Sequence, residues 1–202
     1  MPEFIFDADH LALDLVNTER MSDGARVDLL ESPAALLEWL RQSGAVTAAE
    51  LNTREKLFLR DKGAAGSLLE RARNLRSGVR EMAEALAGRR AVSARAMAAI
   101  NSVLADSPQV SELVRGSSGN KRYALERRNL GSDEAALLAP VAEAAARLLA
   151  EGDHSRVRKC GNPACILYFY DPTRSRTRNW CSMQGCGNRA KAARFYERHH
   201  RG

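Results

Sequence analysis

Four cysteines near the carboxyl end of the chain are the residues whose types and spacing point to a definite chemistry. They form two C-x4-C pairs around a fifteen-residue insert, at positions Cys160, Cys165, Cys181 and Cys186. Each pair can form a tight loop on one side of an ion, and the insert lets the chain cross to the other side. Four thiolates complete the tetrahedral shell of Zn²⁺ and leave no position for water or substrate. The spacing therefore predicts one structural Zn²⁺ and no catalytic metal.

Disulfide bonds and free thiols are the alternatives for these cysteines. The chain opens with Met-Pro-Glu-Phe, without a basic and then apolar leader, and all its cysteines fall within one short stretch. A secreted scaffold would instead distribute its disulfides over the fold. Zinc is therefore favoured, and we expect a cytoplasmic protein. We expect no membrane span, since no apolar run approaches the ~18 residues that a span requires.

The segments around the cysteines resemble a CGNR-type zinc finger. Cys186-Gly187-Asn188-Arg189 follows Arg178-Asn179-Trp180-Cys181-Ser182-Met183, and Tyr170-Asp171 precedes a basic loop. Asn179 departs from the family pattern, in which a basic residue more often precedes the tryptophan. In that family the finger follows a helical ABATE domain, and the segment Leu11-Ala12-Leu13-Asp14-Leu15-Val16-Asn17-Thr18 is similar to its opening. The resemblance implies a bacterial, stress-induced transcription regulator.

The charge of the chain is concentrated in the same region. Residues 156–202 contain eleven Lys and Arg against Asp171 and Glu197, a net charge of +9 within a total of +6, so the preceding residues carry −3. A slightly acidic body joined to a basic tail is typical of a protein that docks one end on a polyanion. The alternative is that the basic residues only keep a small zinc module in solution.

The residues before the finger predict a mainly α fold in which several helices accompany one β-hairpin. Ala and Leu dominate the apolar residues, and both favour helices. We expect helices over 9–20, 33–43, 64–90, 93–104 and 132–150, another that begins at Thr47, and a hairpin over 109–128. The predicted domains are a helical domain over residues 1–152 and a treble-clef-like finger over 155–202, in which knuckle, hairpin and helix surround the ion.

A polar row lies on the first predicted helix. His10, Asp14 and Asn17 are spaced i, i+4 and i+7, which places them on one face. One interpretation is a pocket for a small-molecule effector. The other, which we favour, is that internal hydrogen bonds fix this helix against its neighbours, because buried polar groups need partners.

Two sets of basic residues in the finger are candidates for contact with nucleic acid. The first set alternates along an extended segment and would form one ridge: Arg174, Arg176 and Arg178. The second shares a face of the final helix at about 100° per residue: Lys191, Arg194 and Arg198. We assign the adjoining side of that helix to packing, with Ala192, Phe195, Tyr196 and His199. Arg189 falls on this side too and is predicted to be structural, paired with Asp171.

These features favour a DNA-binding transcription regulator whose helical domain senses a signal or forms a homodimer. An RNA- or ribosome-associated zinc protein and a protein–protein interaction module are the alternatives. We do not expect an enzyme, since the sequence has no Gly-rich phosphate loop, nucleophile elbow or Cys–His pair.

Overall fold

The computed structural model describes residues 3–116 and 122–199. Helices predominate, and the strands form three separate antiparallel pairs, β1–β2, β3–β4 and β5–β6. In chain order the elements are α1 (Leu11–Val16), β1 (Glu19–Ser22), β2 (Ala25–Asp28), α2 (Pro33–Ser43), α3 (Ala48–Arg60), α4 (Lys62–Ala87), α5 (Ala94–Ala105), β3 (Gln109–Arg115), β4 (Tyr123–Asn129), α6 (Asp133–Glu151), β5 (Val157–Lys159), β6 (Tyr168–Tyr170) and α7 (Asn188–His199). The predicted mainly α architecture with a small cysteine-bearing finger is confirmed.

Helix starts follow the capping signals of the sequence. The side chain of Ser32 accepts a hydrogen bond from the Ala35 amide, and Pro33 occupies the first helical position. Thr47 and Glu50 form the predicted capping box, in which each side chain binds the backbone amide of the other. Helix α6 runs without a break through Pro140. These local signals therefore place the helices of the body close to where they were predicted.

The 26-residue helix α4 is the centre of the body. It contacts α1, α2, α3, α5 and α6, and it also contacts β5 at the start of the finger. Gly78 allows the close approach of α5, because a Cβ atom there would lie 2.5 Å from the Cβ of Ala99. Neighbouring helices thus share one apolar core built around α4.

The first helix is shorter than predicted, and an unpredicted hairpin follows it. The helix was expected over 9–20, but α1 ends at Val16 and β1 begins at Glu19. Asp23 and Gly24, with φ of 49° and 81°, form the two-residue turn between β1 and β2. Asp-Gly is a strong hairpin signal because both positions require positive φ, so this signal in the sequence could have revealed the hairpin.

An arginine on α4 attaches this hairpin to the body. Arg76 is only 4% exposed and donates to both carboxylate oxygens of Asp28, at 2.5 and 2.7 Å. It also donates to the Thr18 hydroxyl at 2.9 Å. Burial alone would raise the pKa of Asp28, but the hydrogen bonds and charge of Arg76 outweigh it and lower that pKa. A buried arginine thus holds the hairpin on α4.

The hairpin predicted over 109–128 is confirmed as β3 and β4. Leu113 and Leu125 are opposite each other in the register and are 71% and 72% exposed. Glu112 and Arg128 form an ion pair on the hairpin at 3.1 Å. A two-stranded hairpin has no core of its own. Leu113 and Leu125 therefore expose apolar surface on the outside of the body.

The finger and the helical body share one hydrophobic core. Phe169 of β6 is fully buried and belongs to the same cluster as Leu13, Leu75 and Val141. The composition of the chain changes near residue 152, but the hydrophobic core continues across this position. Among the described helices, none combines the length and the apolar character needed to cross a membrane.

Candidate functional site

Short local contacts place each cysteine pair. Cys160 follows β5, and its amide donates to the Leu167 carbonyl at 2.9 Å, so the chain doubles back toward β6. Cys165 lies in the turn between them. Gly161 donates to the Asn179 carbonyl at 2.8 Å, and a Cβ on Gly161 would meet that carbonyl at 3.1 Å. This close approach brings the two cysteine pairs together.

The four sulfur atoms form a compact cluster whose dimensions fit a tetrahedral metal ion. They lie within 4.8 Å of one another and come from Cys160, Cys165, Cys181 and Cys186, all buried. A Zn–S bond of about 2.3 Å implies sulfur atoms about 3.8 Å apart at the corners of a tetrahedron. Two of the separations, Cys165–Cys181 and Cys181–Cys186, are 3.8 and 3.7 Å. These distances are far longer than a disulfide bond, and the donor set fits one Zn²⁺.

The electrostatics of the cluster are also compatible with a bound cation. Contacts with neighbouring thiols lower the pKa of Cys160 far below its ordinary value and raise that of Cys181 far above it. Negative charge on one sulfur thus opposes ionisation of the next. A divalent ion would remove this conflict, since all four sulfurs can then be thiolates.

Amide and guanidinium groups surround Cys186. The Asn162 side chain donates to its sulfur at 3.4 Å, and Arg189 donates to the same sulfur at 3.1 Å. Such donors orient a thiolate ligand and disperse its charge. The prediction that Arg189 pairs with Asp171 is wrong, because its guanidinium reaches the ligand only three residues away.

Asp171 instead organises the loop between the two cysteine pairs. It is fully buried and accepts hydrogen bonds from the Thr173 hydroxyl at 2.6 Å and the Arg178 amide at 3.0 Å. Burial alone would raise the pKa of Asp171, but these bonds and the charge of Arg158 at 3.7 Å lower it. The carboxylate therefore stays ionised and fixes the path of the loop.

Arg178 connects the finger to the amino-terminal segment. Its guanidinium pairs with the carboxylate of Asp9, donates to the carbonyl of Asp7 at 2.5 Å, and donates to the carbonyl of the ligand Cys181 at 2.6 Å. The same group lies 4.4 Å above the centre of the Phe169 ring. Its donors are thus engaged within the protein, and the contact of Arg178 with a phosphate stays a prediction.

The remaining members of the predicted ridge do not alternate along an extended segment. The chain turns at Arg174 and Ser175, and Arg176 has a φ of 53°. Arg174 is exposed. Arg176 is 53% exposed and pairs with Asp153 at 2.8 Å. The turn is favoured over a strand because Asp171 draws the backbone of Arg178 back toward itself.

Helix α7 is more exposed than predicted. Arg189, Ala190, Ala193 and Arg194 line a groove of about 1410 Å³ that the amino-terminal segment and the β1–β2 hairpin also line. Phe195 and Tyr196 were assigned to packing, yet they are 54% and 60% exposed. Both rings are thus less buried than predicted, and alanines line the groove in their place. Lys191 is exposed, and the side chain of Arg198 lies outside the described part of the chain.

The predicted pocket residues make contacts within the protein. Asn17 donates to the Tyr168 carbonyl at 2.8 Å and accepts from the Tyr168 amide at 3.0 Å, so its side chain pairs with β6 like a neighbouring strand. Asp14 accepts from the Ala8 amide at 3.1 Å. The ring of His10 lies 6.1 Å from that of Tyr170. Asn17 and Asp14 thus bond to separate neighbours, whereas the buried Nδ1 of His10 has no hydrogen-bond partner among the described residues. Both interpretations of this polar row stay predictions.

Two family models together match nearly all of the chain. Residues 9–152 match ABATE, described as "putative stress-induced transcription regulator", and residues 156–199 match the CGNR zinc finger. Both describe regulators or zinc fingers rather than enzymes. No curated protein sequence matches the chain. The first match spans more than half of the residues, and the second contains the four-sulfur cluster. The chain therefore belongs to the ABATE family and carries a CGNR zinc finger at its carboxyl end.

Proposed function

We propose that the protein is a DNA-binding transcription regulator whose zinc finger docks on DNA. The observation that carries this proposal is the charge distribution: residues 156–202 have a net charge of +9 and the preceding residues −3. One ion would fix most of that charge on a rigid module that is packed against the body. Phosphate groups are the natural partners of such a surface, since neutralising them releases condensed counterions.

The proposed contact surface consists of the exposed basic side chains of the finger. Arg174 and Arg176 present it on the loop after β6, while Lys191 and Arg194 present it on α7. Arg198 joins the second group by its spacing on the helix. Arg176 would exchange its contact with Asp153 for a phosphate at little cost, because exposed ion pairs contribute little to stability.

Binding to a labelled DNA duplex over a series of salt concentrations tests the proposal. We expect affinity to fall steeply with salt, by a slope of about 0.9 for each phosphate contacted. The double substitution Lys191→Ala with Arg194→Ala should weaken binding and reduce that slope by about 2, with zinc content unchanged. Arg147→Ala is the matched control, because Arg147 is 59% exposed on a helix of the body. Equal weakening by the control would contradict a docking surface on the finger.

The helical domain would supply the regulatory half of the protein. A homodimer through the exposed Leu113 and Leu125 of the β3–β4 hairpin would give a two-fold arrangement of fingers, as suits a symmetric DNA site. We place the protein in the cytoplasm, where reducing conditions keep cysteines available to zinc. A structured RNA of equal charge should bind more weakly than the duplex; tighter binding to RNA would favour an RNA-associated role instead.

A further inference from the structure

A small pocket, which we call the α4–β5 pocket, lies where the carboxyl end of α4 meets the first strand of the finger. Its volume is about 300 Å³, and part of its lining is apolar, from Leu86, Ala87 and Val157. Ser155 and three cations complete the lining: Arg89, Arg158 and Lys159. Among the described residues that line this pocket, none is acidic. The pocket therefore combines apolar surface with positive charge.

Two of the three cations are not engaged by the protein. Arg89 and Lys159 are both exposed, and neither makes an ion pair or a side-chain hydrogen bond with any residue that the structure describes. Arg158 differs, because it donates to the Arg176 carbonyl at 3.0 Å and lies 3.7 Å from the buried carboxylate of Asp171. The charge of Arg158 is thus compensated, and Arg89 and Lys159 supply the net charge of the pocket.

Ser155 connects the pocket to one carboxylate. Its hydroxyl donates to Asp153 at 2.6 Å. The same carboxylate forms ion pairs with Arg156 at 3.3 Å and with Arg176 at 2.8 Å. Asp153 is therefore already paired with two other arginines and does not neutralise Arg89 or Lys159.

The backbone at Arg89 has a conformation that favours glycine. Helix α4 ends in a Schellman motif, in which the Arg89 amide donates to the Leu86 carbonyl at 3.0 Å and the Arg90 amide to the Ala85 carbonyl at 2.8 Å. Arg89 has a φ of 53°, in the left-handed region where a Cβ atom is unfavourable. Glycine would complete this motif without that cost. Residues held in unfavourable conformations cluster at sites that bind ligands, which indicates a use for the Arg89 side chain.

Two unpaired cations beside apolar surface fit a ligand that has two negative charges and a small apolar group. A phosphate monoester carries nearly two charges at neutral pH, because its second pKa is about 6. The guanidinium of Arg89 can donate two parallel hydrogen bonds to phosphate oxygens, and the ammonium of Lys159 adds a point charge. A phosphodiester of DNA carries one charge per phosphate, so it matches the pocket less well.

We propose that the α4–β5 pocket binds a small phosphate monoester, with the phosphate between Arg89 and Lys159 and the apolar part of the ligand on Leu86 and Val157. Arg89 belongs to the body and Lys159 to the finger, so the ligand connects the two. This site is separate from the polar row on α1, and it does not depend on DNA binding.

Isothermal titration calorimetry of the full-length, zinc-loaded protein with phenyl phosphate at about pH 7.5 tests the proposal, since this ligand is then a dianion. Phenyl sulfate has the same shape and one charge less, while inorganic phosphate lacks the apolar group. We expect phenyl phosphate to bind about tenfold or more tightly than phenyl sulfate, because a hydrogen bond between charged groups contributes at least that factor. Inorganic phosphate should bind more weakly than phenyl phosphate, because it leaves Leu86 and Val157 uncovered.

Substitutions separate a binding role of Arg89 from a structural one. Arg89→Gly should weaken phenyl phosphate binding about tenfold or more. Its midpoint of urea unfolding should stay at least as high as that of the native protein, because glycine suits the left-handed conformation. Lys159→Gln should weaken binding to a similar extent from the finger side of the pocket. Arg95→Gln is the matched control, since Arg95 is exposed on α5 and does not line the pocket, and it should bind phenyl phosphate normally.

Several results would overturn the proposal. The site is wrong if phenyl phosphate does not bind, or if both Arg89→Gly and Lys159→Gln bind it as tightly as the native protein does. Equal affinity for phenyl sulfate would rule out selection of a monoester. A lower unfolding midpoint for Arg89→Gly would show that Arg89 stabilises the end of α4, and the inference from its conformation would fail.

A labelled DNA duplex distinguishes this site from the proposed DNA surface. If the duplex displaces phenyl phosphate and binds Arg89→Gly more weakly than the native protein, the pocket belongs to the DNA surface and is not a separate ligand site. If phenyl phosphate binds as expected and the duplex is not retained at any salt concentration, the pocket is correct and the proposed function fails.

Discussion

The carboxyl group of Asp14 is almost fully buried where α1 meets the amino-terminal segment. Burial raises its pKa to about 7, the hydrogen bond from the Ala8 amide opposes this, and the charges of Asp9 and Asp7 raise it further. An ordinary aspartate in the unfolded chain titrates near 3.9. The folded protein thus binds a proton on Asp14 over a range of pH in which the unfolded chain does not.

This difference predicts how stability changes with pH. A folded pKa above the unfolded one means that the contribution of Asp14 is present below about pH 4 and is lost as pH rises toward about 7. Asp14→Asn keeps an oxygen to accept from Ala8 and removes the titration. We expect the variant to be more stable than the native protein at pH 8, by at most about 4 kcal/mol, with the gain shrinking at lower pH. Urea unfolding between pH 6 and about 8 measures this; parallel curves for the two proteins would contradict it.

At the scale of elements, hydrogen bonds between the end of α1 and β6, which we call the α1–β6 joint, hold the finger on the body. The Asn17 side chain makes two hydrogen bonds with the Tyr168 backbone, at 2.8 and 3.0 Å, and Tyr170 donates to the Ala8 carbonyl at 2.8 Å. From α4, Arg80 donates to the Val16 carbonyl at 2.7 Å and forms an ion pair with Glu19 at 2.9 Å. Side chains of the body thus satisfy backbone groups of the finger and of the end of α1.

Removing this joint should be costly. Asn17→Ala leaves the amide and the carbonyl of Tyr168 without their partners in a buried position, so we expect a loss of about 2–4 kcal/mol in the free energy of unfolding. Asn52→Ala is the control, because Asn52 is exposed on α3 and should change stability by less than about 0.5 kcal/mol. Chemical denaturation of both variants provides the comparison. Similar losses in the two would show that the joint contributes little.

The same scale explains which elements were predictable. Capping residues such as Ser32, Thr47 and Ser132 act over three or four positions, so the helices they begin could be placed from the sequence. The Asp23–Gly24 turn is equally local, but the apolar spacing before it favours a longer helix. The exposure of Phe195 and Tyr196 on α7 was not predictable, since apolar periodicity identifies a side of a helix but not what covers it.

For the molecule as a whole, the important feature is that one core includes both the body and the finger. Phe169 lies in the cluster that contains Leu13 and Leu75, and Arg178 ties the carbonyl of Cys181 to Asp7 and Asp9. A metal ion that folds the finger therefore also stabilises the surface on which the finger rests. Zinc should thus affect the stability of residues far from the ligands.

Loss of one ligand tests this coupling. We expect Cys181→Ser to lose zinc and to lower the midpoint of body unfolding, because zinc binding contributes on the order of 10 kcal/mol to the folding of such modules. Trp39 is fully buried in the body, and Trp180 is the only other tryptophan, so the fluorescence of a Trp180→Phe background reports on the body alone. Unchanged unfolding of Trp39 together with complete loss of zinc would mean that the two parts fold independently. In a companion measurement, a chelator removes zinc from the native protein, which keeps all four cysteines.

The sequence by itself determined the metal centre, the family and most helices, because ligand spacing, signature residues and capping boxes are written over a few adjacent positions. It also determined the uneven charge, which depends on composition alone. Only the tertiary structure decided which polar side chains are already engaged, such as Arg178 with Asp9 and Asn17 with β6. Their partners lie as far as 169 positions away or depend on how a loop turns. Such pairings follow from packing in three dimensions, and no local pattern encodes them.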